Sequence, residues 1–416
     1  MADQLQLSFV KFQKDSYIVV EGKQNADRFF IIHQGKVRIS KAVEVVAEEG
    51  GNTLGPGDFF GVVSTMSSHS HIETARAMTE VVLISVHKEQ YSQLIQKNTP
   101  VAMKIILQFS RRLRYLDEAL SRITLKSNIS LETDISHLFD VAEYYVRQSQ
   151  YKQAYYAYAK YMEYCPMGHY MSAARERMMK IALYVKDVRM EFGPEEFNRT
   201  YTKDTMLFCE EEPGNELFII QKGSVKIVKI INDNEVLLAV LKAGDIFGEM
   251  ALLEAKPRAA SAIAYEDCQV LAVNRANFER MISTQPQLIS RLTTLLADRI
   301  WFIYKQLANT LIDDPLGRMY DVLSIQLEKN RVPSTNTTPF TFDFGPKELA
   351  NMVGLPQADT NALLRKMLEN KKIQIVDNKI HTTEVKEIIK QTEFYRKMQK
   401  IEMARKESRS HNNPGN

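Results

Sequence analysis

The chain has 416 residues, of which 44% are hydrophobic and 25% charged, a composition typical of a soluble protein of about two to four domains. Its formal net charge of +3 excludes a strongly basic surface over the whole molecule. The N-terminal stretch has no apolar signal segment, and no apolar run approaches the roughly 18 residues that span a membrane. We therefore expect a cytoplasmic protein without a membrane partner.

The three cysteines, Cys165, Cys209 and Cys268, are widely spaced and form no C-x-x-C pair. This spacing argues against a disulfide framework, a zinc site or an iron–sulfur cluster, and it is typical of a reducing compartment. The sequence also lacks a nucleophile elbow and a G-x-x-x-x-G-K-[ST] loop. It therefore predicts a protein that is not an enzyme and holds no metal.

The chain repeats itself at an offset that changes from 188 to 187 residues. The aligned stretches are RFFIIHQGKVRI (28–39) with ELFIIQKGSVKI (216–227), GPGDFFGVV (55–63) with KAGDIFGEM (242–250), and ARAMTEVVLISV (75–86) with AIAYEDCQVLAV (262–273). Short runs rich in Val, Ile and Phe, punctuated by glycine, predict an antiparallel sandwich or a jelly-roll β-barrel of roughly 100 residues in each copy. Helical patterns over 100–123 and 286–312 end the copies.

A tyrosine-rich stretch, 138–166, lies between the copies. Its large, small and aromatic residues resemble one tetratricopeptide repeat; they are Leu138, Ala142, Tyr145, Tyr151, Ala154, Tyr158 and Pro166. Two interpretations remain open, a helical spacer with an aromatic core and a docking surface for another protein.

Residues 247–262, FGEMALLEAKPRAASA, set Glu249 and Arg258 among small residues. Small residues let backbone N–H groups approach anionic oxygens, and an arginine can bind a phosphate through two parallel hydrogen bonds. A carboxylate can accept a hydrogen bond from a ribose hydroxyl, and Pro257 restricts the backbone just before the arginine. The alternative is a polar loop with an incidental ion pair.

This stretch resembles the phosphate-binding cassette FGE-x-AL…PRAA of cyclic-nucleotide-binding domains, as in protein kinase A regulatory subunits and Crp/Fnr regulators. The resemblance implies six contacts to the sugar-phosphate, from Gly248, Glu249, Met250, Ala251, Arg258 and Ala259. In that family a hydroxyl residue after the arginine favours guanine. Since Ala259 stands there, we expect cAMP rather than cGMP.

The resemblance also implies that the long second helix covers the base, with Trp301 and Tyr304 near the adenine. Trp301 can equally be core of a dimer helix. The apolar stripe Ile289, Leu292, Leu296 and Ile300 resembles the dimer helix of Crp/Fnr regulators and predicts a homodimer. Ile105, Ile106, Phe109 and Leu113 offer a second seam, by which the two copies could pair within one chain.

The first copy departs from the cassette, with Val62 in place of the acid and His71 in place of the arginine. Without that pair an anion has little to neutralise it, so residues 15–125 are interpreted as a structural or dimerising relic. The alternative is a different ligand that recruits His69 and His71.

Residues 347–373 have the apolar pattern of a helix-turn-helix, with Gly354 at the turn and a two-stranded wing around Asp377-Asn378. The arrangement resembles the winged helix of Crp/Fnr regulators. Side chains expected to reach base edges are Gln357, Thr360 and Asn361, and those expected at phosphates are Arg365, Lys366, Lys371 and Lys372. Residues 313–390 hold eleven Lys/Arg against eleven Asp/Glu, so binding to double-stranded DNA should be modest and salt-sensitive.

The sequence thus predicts a multidomain α+β protein of five segments. They are a degenerate cyclic-nucleotide-binding-like domain (1–125), a helical tetratricopeptide-like linker (126–186), a cyclic-nucleotide-binding domain with its long helix (187–312), a winged helix-turn-helix (313–390) and a charged tail (391–416). The predicted function is a cAMP-responsive, DNA-binding transcription regulator of Crp/Fnr type. The alternative is a cyclic-nucleotide-sensing adaptor that binds proteins and not DNA.

Overall fold

A computed structural model describes residues 7–24, 26–41, 52–125, 135–185, 189, 192–193, 195–231, 233–333, 335, 337–353 and 357–411. Among these residues, no helix combines the length and apolar character that a membrane span requires. The single change of offset between the sequence copies falls between Ile39 and Gly55, a stretch that is only partly described.

The first copy of the repeat folds into two four-stranded antiparallel sheets, ordered β1-β8-β3-β6 and β2-β7-β4-β5. Its elements are β1 (Ser8–Phe12), β2 (Tyr17–Val19), β3 (Arg28–Gln34), β4 (Val37–Ser40), β5 (Thr53–Leu54), β6 (Phe59–Phe60), α1 (Val62–Ser67), β7 (Thr74–Ala77), β8 (Val81–His87), α2 (Tyr91–Lys97) and α3 (Thr99–Leu125), with a 3₁₀ turn at Lys88–Gln90. The predicted long helix after the first copy is α3.

The segment between the copies is helical. It consists of α4 (His137–Arg147), α5 (Tyr151–Tyr164), α6 (Met171–Ile181) and a 3₁₀ turn at Ala182–Tyr184.

The second copy has the same sheets in the same order, β14-β11-β16-β9 and β10-β15-β12-β13. Its elements are β9 (Asn198–Tyr201), β10 (Met206–Phe208), β11 (Glu216–Lys222), β12 (Ser224–Ile231), β13 (Asn234–Lys242), β14 (Ile246–Phe247), α7 (Glu249–Glu254), β15 (Ser261–Ala264), β16 (Cys268–Asn274), α8 (Arg275–Thr284) and α9 (Pro286–Thr310). In the described residues each copy is therefore a pair of sheets and not the closed barrel that the sequence predicts.

One aromatic pair shows how closely the copies agree. Phe30 lies opposite Phe60 in the first copy, and Phe218 lies opposite Phe247 in the second. The rings stack with centroids 5.4 Å apart in the first pair and 5.3 Å in the second. Cross-strand aromatic pairs stabilise sheet pairing, so this contact fixes the register of the short strand that leads into α1 or α7.

The C-terminal residues form α10 (Pro315–Lys329), β17 (Phe340–Thr341), α11 (Pro346–Val353), α12 (Gln357–Leu368), β18 (Ile373–Val376), β19 (Lys379–Thr382) and α13 (Val385–His411). Asp314 caps α10 by accepting the Leu316 N–H at 2.8 Å, and Pro315 begins the helix. The predicted hairpin is present between β18 and β19, with Asp377 and Asn378 both at positive φ, as a tight hairpin turn requires.

The chain divides into two compact units whose limits differ from those of the copies. One comprises residues 1–7, 86–118 and 127–297, and the other 8–85, 119–126 and 298–416. Helices α3 and α9 each contribute residues to both units.

Within the first unit, the helical segment shares a hydrophobic core with the second copy. Buried residues of α4 and α5, such as Tyr145 and Tyr158, cluster with Val228 and Ile263 of the sheets. Polar contacts border this core: the Tyr145 hydroxyl donates to Glu235 Oε2 at 3.0 Å. The helices therefore bury their aromatic face against the sheets, as a lone helical hairpin must to be stable.

In the second unit, α13 packs on α10 and extends to residue 411. Val385 and Ile388 are fully buried, and the Thr392 hydroxyl donates to the Tyr320 carbonyl at 3.0 Å. Residues 408–411 of the charged tail belong to this helix, whereas 412–416 lie outside the described residues. The charged stretch is rich in Lys, Arg, Glu and Met, which are strong helix formers, so polarity alone did not predict its structure.

The contact between Arg396 and Asp321 tests the importance of this packing. The Asp321 side chain is 2% exposed, and its Oδ1 accepts Arg396 Nε at 2.7 Å and Nη2 at 2.6 Å. Arg396→Ala should lower the free energy of unfolding by about 2–3 kcal/mol, because it leaves a buried carboxylate without its cation. Thermal or urea unfolding measures the change, and Lys397→Ala, an exposed neighbour, is the matched control. Equal stability of the two variants would contradict the assignment.

Candidate functional site

Arg258 is the buried centre of a loop in the second copy. The residue is 5% exposed, and its guanidinium carbon lies 4.2 Å from the centroid of the Phe208 ring. Its Nη1 donates to the carbonyl oxygens of Glu216 at 2.8 Å and Gly248 at 2.7 Å. Nε is buried and has no hydrogen-bond partner, so one donor of the cation remains unsatisfied inside the protein.

Two glycines make this position of the arginine possible. A Cβ on Gly248 would lie 2.7 Å from Arg258 Nη1, and a Cβ on Gly214 would lie 2.3 Å from Nε. Gly248 also has φ +75°, in the left-handed region that favours glycine. The glycine in FGEM and the arginine in KPRAA are therefore in direct contact, which explains why the motif contains both.

The remaining predicted residues of the cassette surround the arginine. Glu249 begins α7 and is 1% exposed. Burial lowers the pKa of Arg258, and the nearby charges of Glu212 and Glu249 act in the opposite direction. Met250 and Ala251 are buried in the same helix, and Ala259 is half-buried beside the arginine. The structure thus brings together all six residues that the sequence predicts for this loop.

Glu212 is a second buried ionisable group at the site. Its backbone carbonyl accepts the Arg258 N–H at 2.9 Å, and its side chain accepts from the Cys209 N–H at 3.1 Å and the Tyr156 hydroxyl at 3.3 Å. Burial raises the pKa of Glu212 to about 7, although Lys160, Arg258 and the two hydrogen-bond donors act in the opposite direction. The carboxyl group is therefore poised to change charge near neutral pH.

A cavity next to Arg258 is enclosed by the second copy and by helix α5. Its lining residues are Tyr156, Lys160, Tyr164, Arg189, Phe192, Arg199, Tyr201, Leu207, Phe208, Glu212, Pro213, Gly214, Asn215, Glu216, Phe218 and Arg258. Arg199 is held on Glu216 by two hydrogen bonds of 2.7 and 2.8 Å. The cavity is polar, with aromatic rings among its charges, and can accept an anion that carries a ring.

Helix α3 supports the loop from another direction. Glu254, at the end of α7, accepts the Ser110 hydroxyl at 2.7 Å and Arg114 Nε at 3.0 Å. Arg114 Nη1 also donates to the Pro257 carbonyl at 3.2 Å. The long helix that follows the first copy therefore positions the loop of the second copy.

The equivalent loop of the first copy holds its own carboxylate. Gly61, at φ +79°, corresponds to Gly248, and its N–H donates to Glu73 Oε1 at 2.9 Å. Glu73 is 7% exposed, and the equivalent residue of the second copy is Ala260. In this loop Val62 and His71 replace the acid and the arginine. The protein's own Glu73 carboxylate therefore occupies one backbone donor of the loop.

Trp301 and Tyr304 do not line the cavity at Arg258. In the second unit, Trp301 stacks on His69 with ring centroids 4.2 Å apart and donates from Nε1 to the Ser70 carbonyl at 3.2 Å. The Tyr304 hydroxyl donates to Glu21 at 3.4 Å. The structure therefore places both aromatic residues against the first copy. For Trp301 the sequence leaves open a place near the base of a ligand or in the core of the long helix.

His69 contacts an acidic residue of α9. Its Nε2 lies 3.3 Å from Asp298, and the part of the chain that the structure describes contains no cluster of three or more metal-ligating side chains.

The stripe expected to pair two chains is buried within one chain: Ile289, Leu292, Leu296 and Ile300 are each at most 2% exposed.

The residues predicted to bind DNA lie on and after α12. Asn361, Arg365, Lys366, Lys371 and Lys372 are exposed. Gln357 and Thr360 lie within α12, but their side chains, like the predicted turn at Gly354, are outside the described residues.

Comparisons with known proteins agree with the loop geometry. Residues 9–98 and 198–285 match the profile of the cyclic nucleotide-binding domain. The chain is 28% identical over 196 residues to the CRP-like cAMP-activated global transcriptional regulator of Mycobacterium tuberculosis, a match covering 45% of this chain and 86% of the relative. It is 27% identical over 175 residues to the cAMP-activated global transcriptional regulator CRP of Salmonella typhimurium, covering 42% and 82%. This chain therefore contains two segments of cyclic-nucleotide-binding type.

Among solved structures, a CooA mutant from Carboxydothermus hydrogenoformans matches with a TM-score of 0.38 and 21% identity, covering 48% of this chain and 87% of that one. The regulatory domain of Toxoplasma gondii PKA with cAMP matches with a TM-score of 0.21 and 18% identity, covering 68% and 84%.

Sequence reasoning missed Glu212, Glu73 and the face of α5 that lines the cavity. Glu212 is one of three consecutive glutamates, and nothing in that run indicates which one lines the cavity. The spacing of Tyr156, Lys160 and Tyr164 places them on one helix face, but only the fold shows that this face meets the cavity.

Glu212 makes the stability of the ligand-free chain depend on pH. Its pKa is raised from an ordinary 4.5 to about 7, so its stabilising contribution is present below about pH 4.5 and is lost as the pH rises through 7. Glu212→Gln should remove this loss, which is on the order of 3 kcal/mol between pH 4.5 and 7. Calorimetric unfolding at several pH values measures it, with the exposed Glu279→Gln as control. The same pH slope in wild type and Glu212→Gln would contradict the assignment.

Proposed function

We propose that the chain is a regulator controlled by a cyclic nucleotide, which binds once per chain at Arg258. The observation that carries the proposal is the buried Arg258 guanidinium with its unpartnered Nε, beside Glu249 in the same loop. A buried cation with a free donor suits a phosphate, because charge-assisted hydrogen bonds are strong where water is excluded. The first copy lacks both charged residues and already holds Glu73 at its loop.

The favoured ligand is cAMP. Ala259 offers no hydroxyl to the exocyclic amine of guanine, and the two regulators named above are cAMP-activated. In this proposal the protein is not an enzyme, and its response comes from a change in the population of two arrangements when ligand binds.

Ligand stoichiometry gives the first test. Isothermal titration with cAMP should show one site per chain, and Arg258→Ala should weaken binding by at least roughly a hundredfold, since it removes the buried cation of the loop together with its free donor. His71→Ala should bind as wild type does. Arg258→Lys, which keeps the charge, controls for loss of folding, and titrations with cGMP and a cyclic dinucleotide identify the ligand. Two equivalent sites per chain would contradict the proposal.

We further propose that the module containing α11, α12 and the β18–β19 hairpin is a winged helix-turn-helix that binds double-stranded DNA. Exposed Arg365, Lys366, Lys371 and Lys372 favour this function, since contacts to phosphates supply most of the affinity for DNA. Two such modules in a homodimer could read two half-sites. The apolar stripe on α9 does not itself require a second chain, because it is already buried within a single chain.

Two substitutions should distinguish the residues that contact DNA phosphates from those that read base edges. With saturating cAMP, Lys371→Ala should weaken binding to all sequences alike and reduce the slope of log affinity against log salt by roughly one. Asn361→Ala should relax preference at one base pair, at about 1–3 kcal/mol. Fluorescence anisotropy over a salt series measures both, and exposed Lys222→Ala, on β11, is the control. Failure to bind DNA even at low salt would favour the adaptor.

A second candidate function is a signalling adaptor that acts through the helical segment. Five large apolar residues are exposed there: Met167, Tyr170, Met179, Leu183 and Tyr184, with Met167 at 95% and Leu183 at 82%. Clustered exposed apolar side chains often mark a protein interface.

A further inference from the structure

Helix α5 supplies part of the wall of the cavity at Arg258, although it lies outside both copies of the sequence repeat. Tyr156, Lys160 and Tyr164 follow each other at intervals of four residues, which places them along one face of the helix. All three line the cavity. The site of the second copy is therefore completed by an element for which the first copy has no counterpart in the described chain.

The face of α5 that meets the cavity is firmly attached to the loop. The Tyr156 hydroxyl donates to the Leu207 carbonyl at 3.1 Å and to Glu212 at 3.3 Å. Glu212 in turn accepts the Arg258 N–H through its backbone carbonyl. Two hydrogen bonds thus connect the helix to the backbone of the arginine.

Compared with Arg189 and Arg199, which also line the cavity, Lys160 has the weakest existing ion pair. Arg199 and Arg189 are each held by two hydrogen bonds to one glutamate, Glu216 and Glu196 respectively. Lys160, in contrast, contacts the half-exposed Glu163 at 2.8 Å, while its own side chain is only 17% exposed. An ammonium group has three protons, and an ion pair with an exposed partner is weak. Lys160 can therefore bind a ligand without breaking a strong contact.

Tyr164 lines the same cavity as Arg258 and offers a partly buried ring. Lys160 Nζ lies 5.7 Å from the centroid of this ring. A planar base can stack on such a ring whatever its hydrogen-bonding pattern.

We propose that α5 is a ligand-contacting wall, in which Lys160 binds the anionic group of the nucleotide together with Arg258 and Tyr164 packs on the base. This inference rests on the proposed function of the Arg258 site. It makes the helical segment a sensor of occupancy, because a ligand that touches α5 stabilises the position of the helices on the second copy.

Titration of the full chain with cAMP tests the inference. Lys160→Gln should weaken binding at least about tenfold, the effect of one charge-assisted hydrogen bond, and Lys160→Arg should recover part of the loss. Tyr164→Leu should weaken binding by about five- to tenfold or more, and Tyr164→Phe, which keeps the ring, should lose less. Lys152→Gln, a lysine of the same helix that does not line the cavity, should match wild type.

Hydrogen exchange of the wild-type chain gives a measurement that needs no variant. Saturating cAMP should slow amide exchange within 151–164 as well as within 248–259. Thermal unfolding of each variant identifies any that fail to fold, and for those the exchange result decides.

The outcomes separate the two proposals. If wild type binds no cyclic nucleotide, the proposed function itself fails. If wild type binds and Arg258→Ala does not, but Lys160→Gln and Tyr164→Leu bind as wild type and 151–164 gains no protection, then α5 is only a structural neighbour and the inference is overturned.

Discussion

The guanidinium of Arg258 is enclosed by the Phe208 ring, the carbonyl oxygens of Glu216 and Gly248, and two glycines without side chains. Removing a cation from water is costly unless its donors find acceptors, and here both acceptors of Nη1 belong to the backbone. The strands and turns that carry these carbonyls must therefore hold them within hydrogen-bond distance of Nη1. The left-handed Gly248, which has no side chain in the way of the guanidinium, meets the same requirement.

This constraint also explains the place of the helical segment. Glu212 pairs with Arg258 through the backbone and with Tyr156 through its side chain. Because Tyr156 belongs to a helix whose aromatic face is buried with Val228 and Ile263, the loop and the helices share one continuous set of contacts. Packing of this kind transmits small shifts, since a dense core has few alternative arrangements.

The local chemistry of the site could be predicted from the sequence because it depends on neighbours in the chain. The motif from Gly248 to Ala259 specifies a turn, a short helix and a buried arginine within about a dozen residues, and the repeat offset predicts the same strands in both copies. The positions of Trp301, Glu212 and the inner face of α5 depend on contacts between segments tens to hundreds of residues apart. No pattern in a single sequence determines those contacts, which is why the sequence leaves two interpretations of Trp301 open. The jelly-roll prediction correctly gave the strands, but whether the sheets close depends on edge pairing that hydrophobic patterning does not reveal.

The carboxylate that Glu73 presents to the Gly61 amide has a consequence for dose–response behaviour. A covalently attached anion has a constant effective concentration, so its contact with the Gly61 amide does not depend on the concentration of nucleotide. With the proposed nucleotide site in the second copy alone, a single chain would give a simple hyperbolic occupancy curve with a Hill coefficient of about one. Any steeper response must come from coupling between chains.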